Sequence, residues 1–263
     1  MKILKTGVLE VPKELVSGSF VRAYTYQQKN TEDIFSTVFK KGGKYYFPRN
    51  FSKLSSKLST SLQLVDNTVT KEIPQRDSYI NLLSHQKPIV ESLFKFYEED
   101  KNDVIIELGT GGGKTFMLAY IIPKLKQKTL VIVDQTLLVK QMFKELSENS
   151  DLEVSVLDHT MDLSADVVIT TFQFLRQNDF DRVDKLSNEF GLVVVDEVHI
   201  AGAKSVTRTV QSINAKYRIG LSATPTRSDG LDEILDDLFE HRIVGVIEDT
   251  VDMEFILLEN WSM

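Results

Sequence analysis

From residue 84 onward the chain alternates short, unbroken Val/Ile-rich runs with segments whose apolar residues recur at helical spacing. This alternation constrains the fold more than any other feature. The runs are 104–108, 129–133, 154–157, 167–171, 192–195, 218–222 and 243–247. The helical segments are 114–125, 137–146, 205–213 and 231–239. An earlier helix is expected to start at a Ser84 cap and run through Glu99, with Pro88 in its first turn. Continuous apolar runs suit strands buried on both faces of a parallel sheet. The whole predicts an α/β fold with a doubly wound parallel sheet over residues 78–247.

Residues 1–77 read as a small α+β domain of short strands and loops. Residues 21–26 alternate as a strand would, and 36–39 with 44–47 flank a turn at Lys41-Gly42-Gly43, predicting a hairpin. Residues 52–61 are Ser- and Lys-rich, with Leu54, Leu58 and Leu62 at helical spacing, and 70–78 read as a polar connector. Phe35, Phe39, Tyr45, Tyr46 and Phe47 either fill the core of a small sheet or stack on bases beside the local lysines.

Charge is divided unevenly. The chain of 263 residues has a net charge of −7, yet residues 1–60 hold eleven Lys/Arg against four Asp/Glu, a net of +7 that leaves −14 for the remainder. Such asymmetry suits a basic accessory domain that contacts nucleic acid, or simply a soluble lysine-rich one. If the former, affinity should fall steeply with salt, and a chain beginning at Ser78 should bind DNA more weakly. The absence of cysteine removes disulfides, thiolate metal sites and cysteine nucleophiles together, and a cytoplasmic location is expected. No apolar stretch reaches the ~18 residues of a membrane span, so no membrane partner is expected. The apolar stretch at the N-terminus is too short and too interrupted by charge for a signal segment.

The strongest local signal is Leu108-Gly109-Thr110-Gly111-Gly112-Gly113-Lys114-Thr115, placed after a predicted strand and before a predicted helix. Glycines let successive backbone N–H groups turn inward around phosphate oxygens, and the following helix N-terminus adds positive potential. Lys114 can then reach the β- and γ-phosphates, and the Thr115 hydroxyl can ligate Mg²⁺. The general phosphate-loop pattern has glycine where this chain has Leu108. The alternative is a glycine-rich turn with an exposed lysine. Downstream, the run 192–195 delivers two adjacent acids, Asp196 and Glu197. Behind a phosphate loop, the first suits Mg²⁺ and the second can polarise an attacking water; alone, such acids also serve as helix caps.

Asp196-Glu197-Val198-His199 together with Ser222-Ala223-Thr224-Pro225 resembles motifs II and III of superfamily-two helicases and translocases, the DEAD/DEAH-like group. The DEVH form and Gly220-Leu221-Ser222-Ala223-Thr224 look most like the XPB- and UvsW-type DNA helicases. Residues 133–142 resemble motif Ia, with Asp134-Gln135 where Pro-Thr is usual, and 168–173 resemble the next motif facing nucleic acid. The resemblance covers about residues 80–247 and implies the first RecA-like lobe, a P-loop NTPase lobe, with ATP and Mg²⁺ as cofactors and DNA as partner. It implies that Gly109, Thr110, Gly111, Gly112, Gly113, Lys114 and Thr115 hold the phosphates, that Thr115 and Asp196 hold Mg²⁺, and that Glu197 is the general base. Gln86 would recognise adenine. His199 would couple the ATP site to Ser222 and Thr224, while Gln141, Thr171 and Gln173 would lie near a bound strand. Without the resemblance, Gln86 reads as a surface glutamine, and Thr171 and Gln173 as strand-end polar residues satisfying the backbone. His85, His159 and His241 lack ligand-like spacing.

Superfamily-two motors hydrolyse ATP between two such lobes, the second contributing arginines. Thirty-six residues follow Arg227, too few for another lobe, and 248–263 read as a tail or linker. The expectation is therefore one lobe of a motor, as a shortened chain, a split gene product or a stand-alone module. Little turnover is expected from it alone. Two further readings are a translocase portion of a restriction enzyme and a non-catalytic DNA-binding protein that uses nucleotide as a switch.

Overall fold

The computed structural model describes residues 2–27, 34–49, 63–177, 185–198, 204–223 and 232–246. Its first elements are β1 (Lys2–Lys5), β2 (Leu9–Pro12), α1 (Gly18–Arg22), β3 (Thr25–Gln27), β4 (Ile34–Ser36), β5 (Phe39–Lys41), β6 (Lys44–Phe47) and β7 (Gln63–Asp66). Five of the strands form one mixed sheet in the order β5-β6-β2-β1-β7, and β3 with β4 makes a separate antiparallel ribbon. Ile3, Leu9, Val11 and Phe47 point to one side of the larger sheet and pack with Tyr24 and Val38 as its core.

Two expectations for this region need correction. The alternating stretch 21–26 is not one strand. Val21 and Arg22 close α1, and the Tyr24 N–H and Thr25 hydroxyl both bond to the Val21 carbonyl, so local hydrogen bonds set the structure that alternation misreads. The stretch 36–39 is likewise split between β4 and β5, because the Thr37 N–H and hydroxyl turn to the Tyr24 carbonyl. The hairpin itself is β5–β6, with Lys41 opposite Lys44 and Gly42 and Gly43 at φ 57° and 78°. A two-residue turn with both central residues left-handed matches the twist of the strands and closes the hairpin without splaying it. The expected helical spacing at 52–61 lies outside the described residues.

Seven strands follow: β8 (Asp103–Glu107), β9 (Thr129–Val133), β10 (Val154–Val156), β11 (Val167–Thr171), β12 (Leu192–Val195), β13 (Tyr217–Ser222) and β14 (His241–Val244). They form one parallel sheet in the order β10-β11-β9-β12-β13-β8-β14. The helices are α2 (Lys87–Glu98), α3 (Lys114–Leu125), α4 (Thr136–Asn149), α5 (Phe172–Gln177), α6 (Lys204–Gln211) and α7 (Asp232–Leu238). Alternate strand residues serve opposite layers. Val104, Ile106, Val131 and Val194 pack with Ile89, Leu93, Met117 and Val139 of α2–α4. Ile105, Leu130, Ile132 and Val193 pack with Phe172, Leu175, Val210 and Leu235 of α5–α7. This is the doubly wound arrangement with a RecA-like strand order, and the unbroken Val/Ile runs follow from burial on both faces.

Ser84 does not cap α2. The chain turns at 84–86 through a Gln86 N–H to Leu83 carbonyl bond, and the helix begins at Lys87 with Gln86 as its cap residue. The polar connector 70–78 is tied to the larger sheet. Isolated bridges join Val69 to Ala215, Glu72 to Gln127 and Ser78 to Ser150, and Ile73 is buried against the parallel-sheet core.

The two sheets meet at the amino ends of β8 and β13. Arg49 and Arg218 are both buried there around Asp103. The Arg49 Nε lies 2.9 and 2.8 Å from the two Asp103 oxygens, and its other nitrogens bond the Ala215 and Lys216 carbonyls. Arg218 donates to the Gly7 carbonyl. A Cβ on Gly7 would sit 2.1 Å from the Gln211 carbonyl oxygen, so only glycine allows the β1–β2 turn this close to α6.

Candidate nucleotide-binding site

The carboxyl ends of β8, β13 and β12 lie side by side and carry the predicted chemistry. The loop after β8 holds the phosphate-binding pattern, Asp196 and Glu197 follow β12, and Ser222 ends β13 between them. In open α/β sheets, ligands bind at this end of the strands.

Leu108, the departure from the loop pattern, is buried at 1% exposure. Its N–H bonds the Ser222 carbonyl, and its side chain lies where a Cβ on Gly112 would fall, 2.4 Å from its Cγ. The leucine thus forms the floor of the loop, and Gly112 leaves room for it. Gly111 has φ 80°, and among the described residues no atom lies within 4 Å of where its Cβ would stand. Gly113 has φ 77°, and a Cβ there would meet Gln86 Nε2 at 2.4 Å. Helix α3 starts at Lys114 with no side-chain cap, which leaves its first N–H groups available to an anion. Gly109, Thr110 and Thr115 are part-exposed or exposed along the same loop.

Lys114 Nζ lies 3.4 Å from the Leu108 carbonyl and 3.7 Å from Glu197 Oε1. The ammonium therefore spans the loop and the acid pair. Burial, then the neighbouring Glu197 carboxylate, raises the Asp196 carboxyl above its usual range, while Lys114 opposes the shift. Glu197 has φ 50°, a left-handed conformation rare for a residue with a side chain. Holding it there costs about 1–2 kcal/mol, and such strain concentrates at functional sites. Val198 packs over β13, where a Cβ on Gly220 would come within 3.0 Å of its methyl group.

The other predicted residues divide. Gln86 is 2% exposed. Its Oε1 accepts the Leu83 N–H at 3.0 Å and its Nε2 donates to the Gly112 carbonyl at 3.0 Å, so it braces the phosphate loop and keeps one amide hydrogen uncommitted. His85 reaches the same carbonyl at 3.2 Å, a contact that adjacency to Gln86 could have signalled. The Ser222 hydroxyl is buried, with no hydrogen-bond partner among the described residues. Thr171 ends β11 and its hydroxyl accepts the Phe174 N–H at 3.1 Å, which caps α5. Gln173 is exposed beside it, and exposed Gln141 bonds Glu145 on α4. His199 and Thr224 lie outside the described residues. Sequence reasoning missed Arg242, which holds Glu107 at the base of the loop at 2.8 Å.

The open loop, its uncapped helix and a lysine facing two acids fit a nucleoside triphosphate. Thr115 and Asp196 are oxygen donors of the type Mg²⁺ takes.

Residues 79–227 match the family described as type III restriction enzyme, res subunit. A protein of Acanthamoeba polyphaga mimivirus that carries the name of an ATP-dependent RNA helicase is 30% identical over 175 residues, covering 65% of this chain and 33% of its own length. The DNA 3'-5' translocase XPB2 of Sulfurisphaera tokodaii is 26% identical over 178 residues, covering 67% of this chain and 38% of its own. The chain thus spans between a third and two fifths of these relatives. Among solved structures, the UvsW helicase of bacteriophage T4 superposes with a TM-score of 0.66 at 15% identity, over 92% of this chain and 99% of that one. The SWI2/SNF2 ATPase core of Sulfolobus solfataricus, solved with double-stranded DNA, gives 0.53 at 21% identity, over 64% and 38%. Both share the fold.

Proposed function

The chain belongs to the type III restriction enzyme res-subunit family and carries the first RecA-like lobe of a superfamily-two helicase; on that premise we propose that it binds Mg·ATP and couples its hydrolysis to movement on, or remodelling of, DNA. The placement of Lys114 between the phosphate loop and Glu197 carries this reading.

In it, the loop N–H groups and the start of α3 hold the phosphates, and the Lys114 ammonium moves from the Leu108 carbonyl to the β- and γ-oxygens. That movement frees Glu197 to accept a proton from the attacking water. Mg²⁺, held by Thr115 and Asp196 when bound, neutralises phosphate charge. The spare amide hydrogen of Gln86 reads the base. His199 links the site to Ser222 and Thr224, and Gln141, Thr171 and Gln173 face the strand. A second RecA-like lobe, in trans or in a longer chain, contributes the arginines that stabilise the transferring phosphoryl group, a contribution of about 10³–10⁵ in rate for arginine fingers.

The test is ATP binding and steady-state hydrolysis by the 263-residue chain, with and without single-stranded and forked DNA, beside Lys114→Ala. The expected result is Lys114-dependent Mg·ATP binding with slow turnover until a second lobe is added. Binding unchanged by Lys114→Ala overturns the site assignment. Fast turnover by the monomer overturns the need for a second lobe. The description of the matched family favours one other reading, the translocase portion of a restriction enzyme, and DNA cleavage upon adding a nuclease subunit would separate it.

A further inference from the structure

The side of the N-terminal sheet that faces away from its core has a composition that packing does not explain. Strand register places Phe39, Tyr46, Glu10, Leu4 and Val65 in one row across all five strands. The next row holds Lys41, Lys44 and Pro12. None of these eight residues is buried, whereas Ile3, Leu9, Val11 and Phe47 on the opposite side are.

Two observations single out the β5–β6 end of this face. The first is ring geometry. On the core side, Tyr24 and Phe47 meet edge to face, with centroids 5.1 Å apart and planes at 74°. On the open side, Phe39 and Tyr46 are parallel, 4.9 Å apart at 8°. Because β5 is the last described strand at that edge, no described strand lies beyond Phe39 to cover the face of its ring turned away from Tyr46. The second is charge. Lys41 and Lys44 stand directly opposite each other, and like charges in that position weaken a hairpin. Glu10, the acid in the row, is ion-paired with Lys44. The face thus offers a flat aromatic stack beside Lys41 and the Glu10-paired Lys44, within a segment of net charge +7 on an otherwise acidic chain.

We propose that this face is a second nucleic-acid site, in which Phe39 and Tyr46 stack on an unpaired base and Lys41 and Lys44 hold the flanking phosphates. Stacking with sequence tolerance and a basic border is how single strands are held without base-edge readout. The site is independent of the ATP site and lies on a different sheet.

The experiment uses the full chain without nucleotide, a labelled oligothymidine and the same oligomer carrying abasic residues, read by fluorescence anisotropy. Wild type should bind the base-bearing strand about tenfold more tightly than the abasic one, the size expected of one stacked base. Phe39→Leu and Tyr46→Leu, which keep apolar packing but lose the rings, should erase that preference. Lys41→Glu should weaken both strands equally and flatten the salt dependence. Photocrosslinking with a 5-bromouracil strand should label the peptide containing Tyr46. Retention of the base preference by both leucine variants overturns the proposal, as does a label confined to residues 79–227. Strand binding unchanged by Lys41→Glu also overturns it, and would leave the face to an acidic protein partner.

Discussion

At the residue scale, the acid pair shows how burial and function oppose each other. Asp196 is held where its charged form is disfavoured, by desolvation first and by Glu197 second. A carboxyl whose folded pKa lies above its unfolded one costs stability once pH rises above the unfolded value, and costs nothing below it. Asp196→Asn is therefore expected to melt at a higher temperature than wild type at pH 7. The difference should vanish near pH 3, and nucleotide hydrolysis should be lost at every pH. Thermal unfolding at the two pH values checks this, and equal midpoints at pH 7 refute it. That Lys114, Asp196 and Glu197 follow the ends of strands was legible in the sequence, because apolar runs mark those ends. The left-handed Glu197 and the bracing of Gly112 by Gln86 were not, since backbone angle and side-chain direction follow from what packs above them.

At the element scale, the lock between the two sheets outweighs the surface ion pairs. The Lys144–Glu148 pair on α4 spans 4.0 Å with both side chains more than half exposed, so Lys144→Ala should leave stability unchanged within error. Asp103→Asn instead leaves Arg49 and Arg218 buried together without their counter-charge. Burial and Arg49 already lower the Arg218 guanidinium to about 9, so it stays charged at neutral pH. Removing one partner of a buried ion pair costs about 3–5 kcal/mol, which for a chain of this size lowers the unfolding midpoint by about 10 °C. Calorimetry of the two variants side by side decides it. Strands such as 129–133 and 167–171 were readable to the residue, because their apolar runs have sharp polar ends. The short N-terminal elements were misread where a hydroxyl or a carbonyl, not periodicity, ended them.

At the scale of the whole molecule, the N-terminal region is joined to the helices of the parallel sheet through hydrogen bonds on buried polar groups. Asp237, buried on α7, accepts the Tyr26 and Thr37 hydroxyls at 2.7 and 2.8 Å, and Gln211 on α6 donates to the Thr37 carbonyl at 3.1 Å. A chain beginning at Ser78 loses these contacts together with Arg49, Ile73 and the bridges at Val69 and Glu72. It should melt well below the full chain, with faster amide exchange across β13, and an equal midpoint would refute this. Weaker DNA binding by that chain would therefore report lost structure as much as a lost site, which is why point variants on the open face are the sharper probe. The sequence alone determined the strand–helix alternation, the doubly wound class and which residues stand in the loop and the acid pair, because each rests on local spacing and residue type. Tertiary structure alone decided which strands became neighbours, that β13 separates the loop from the acids, that Arg49 finds Asp103, and which aromatics face the core. Those depend on contacts between residues far apart in the chain, and no local pattern encodes them.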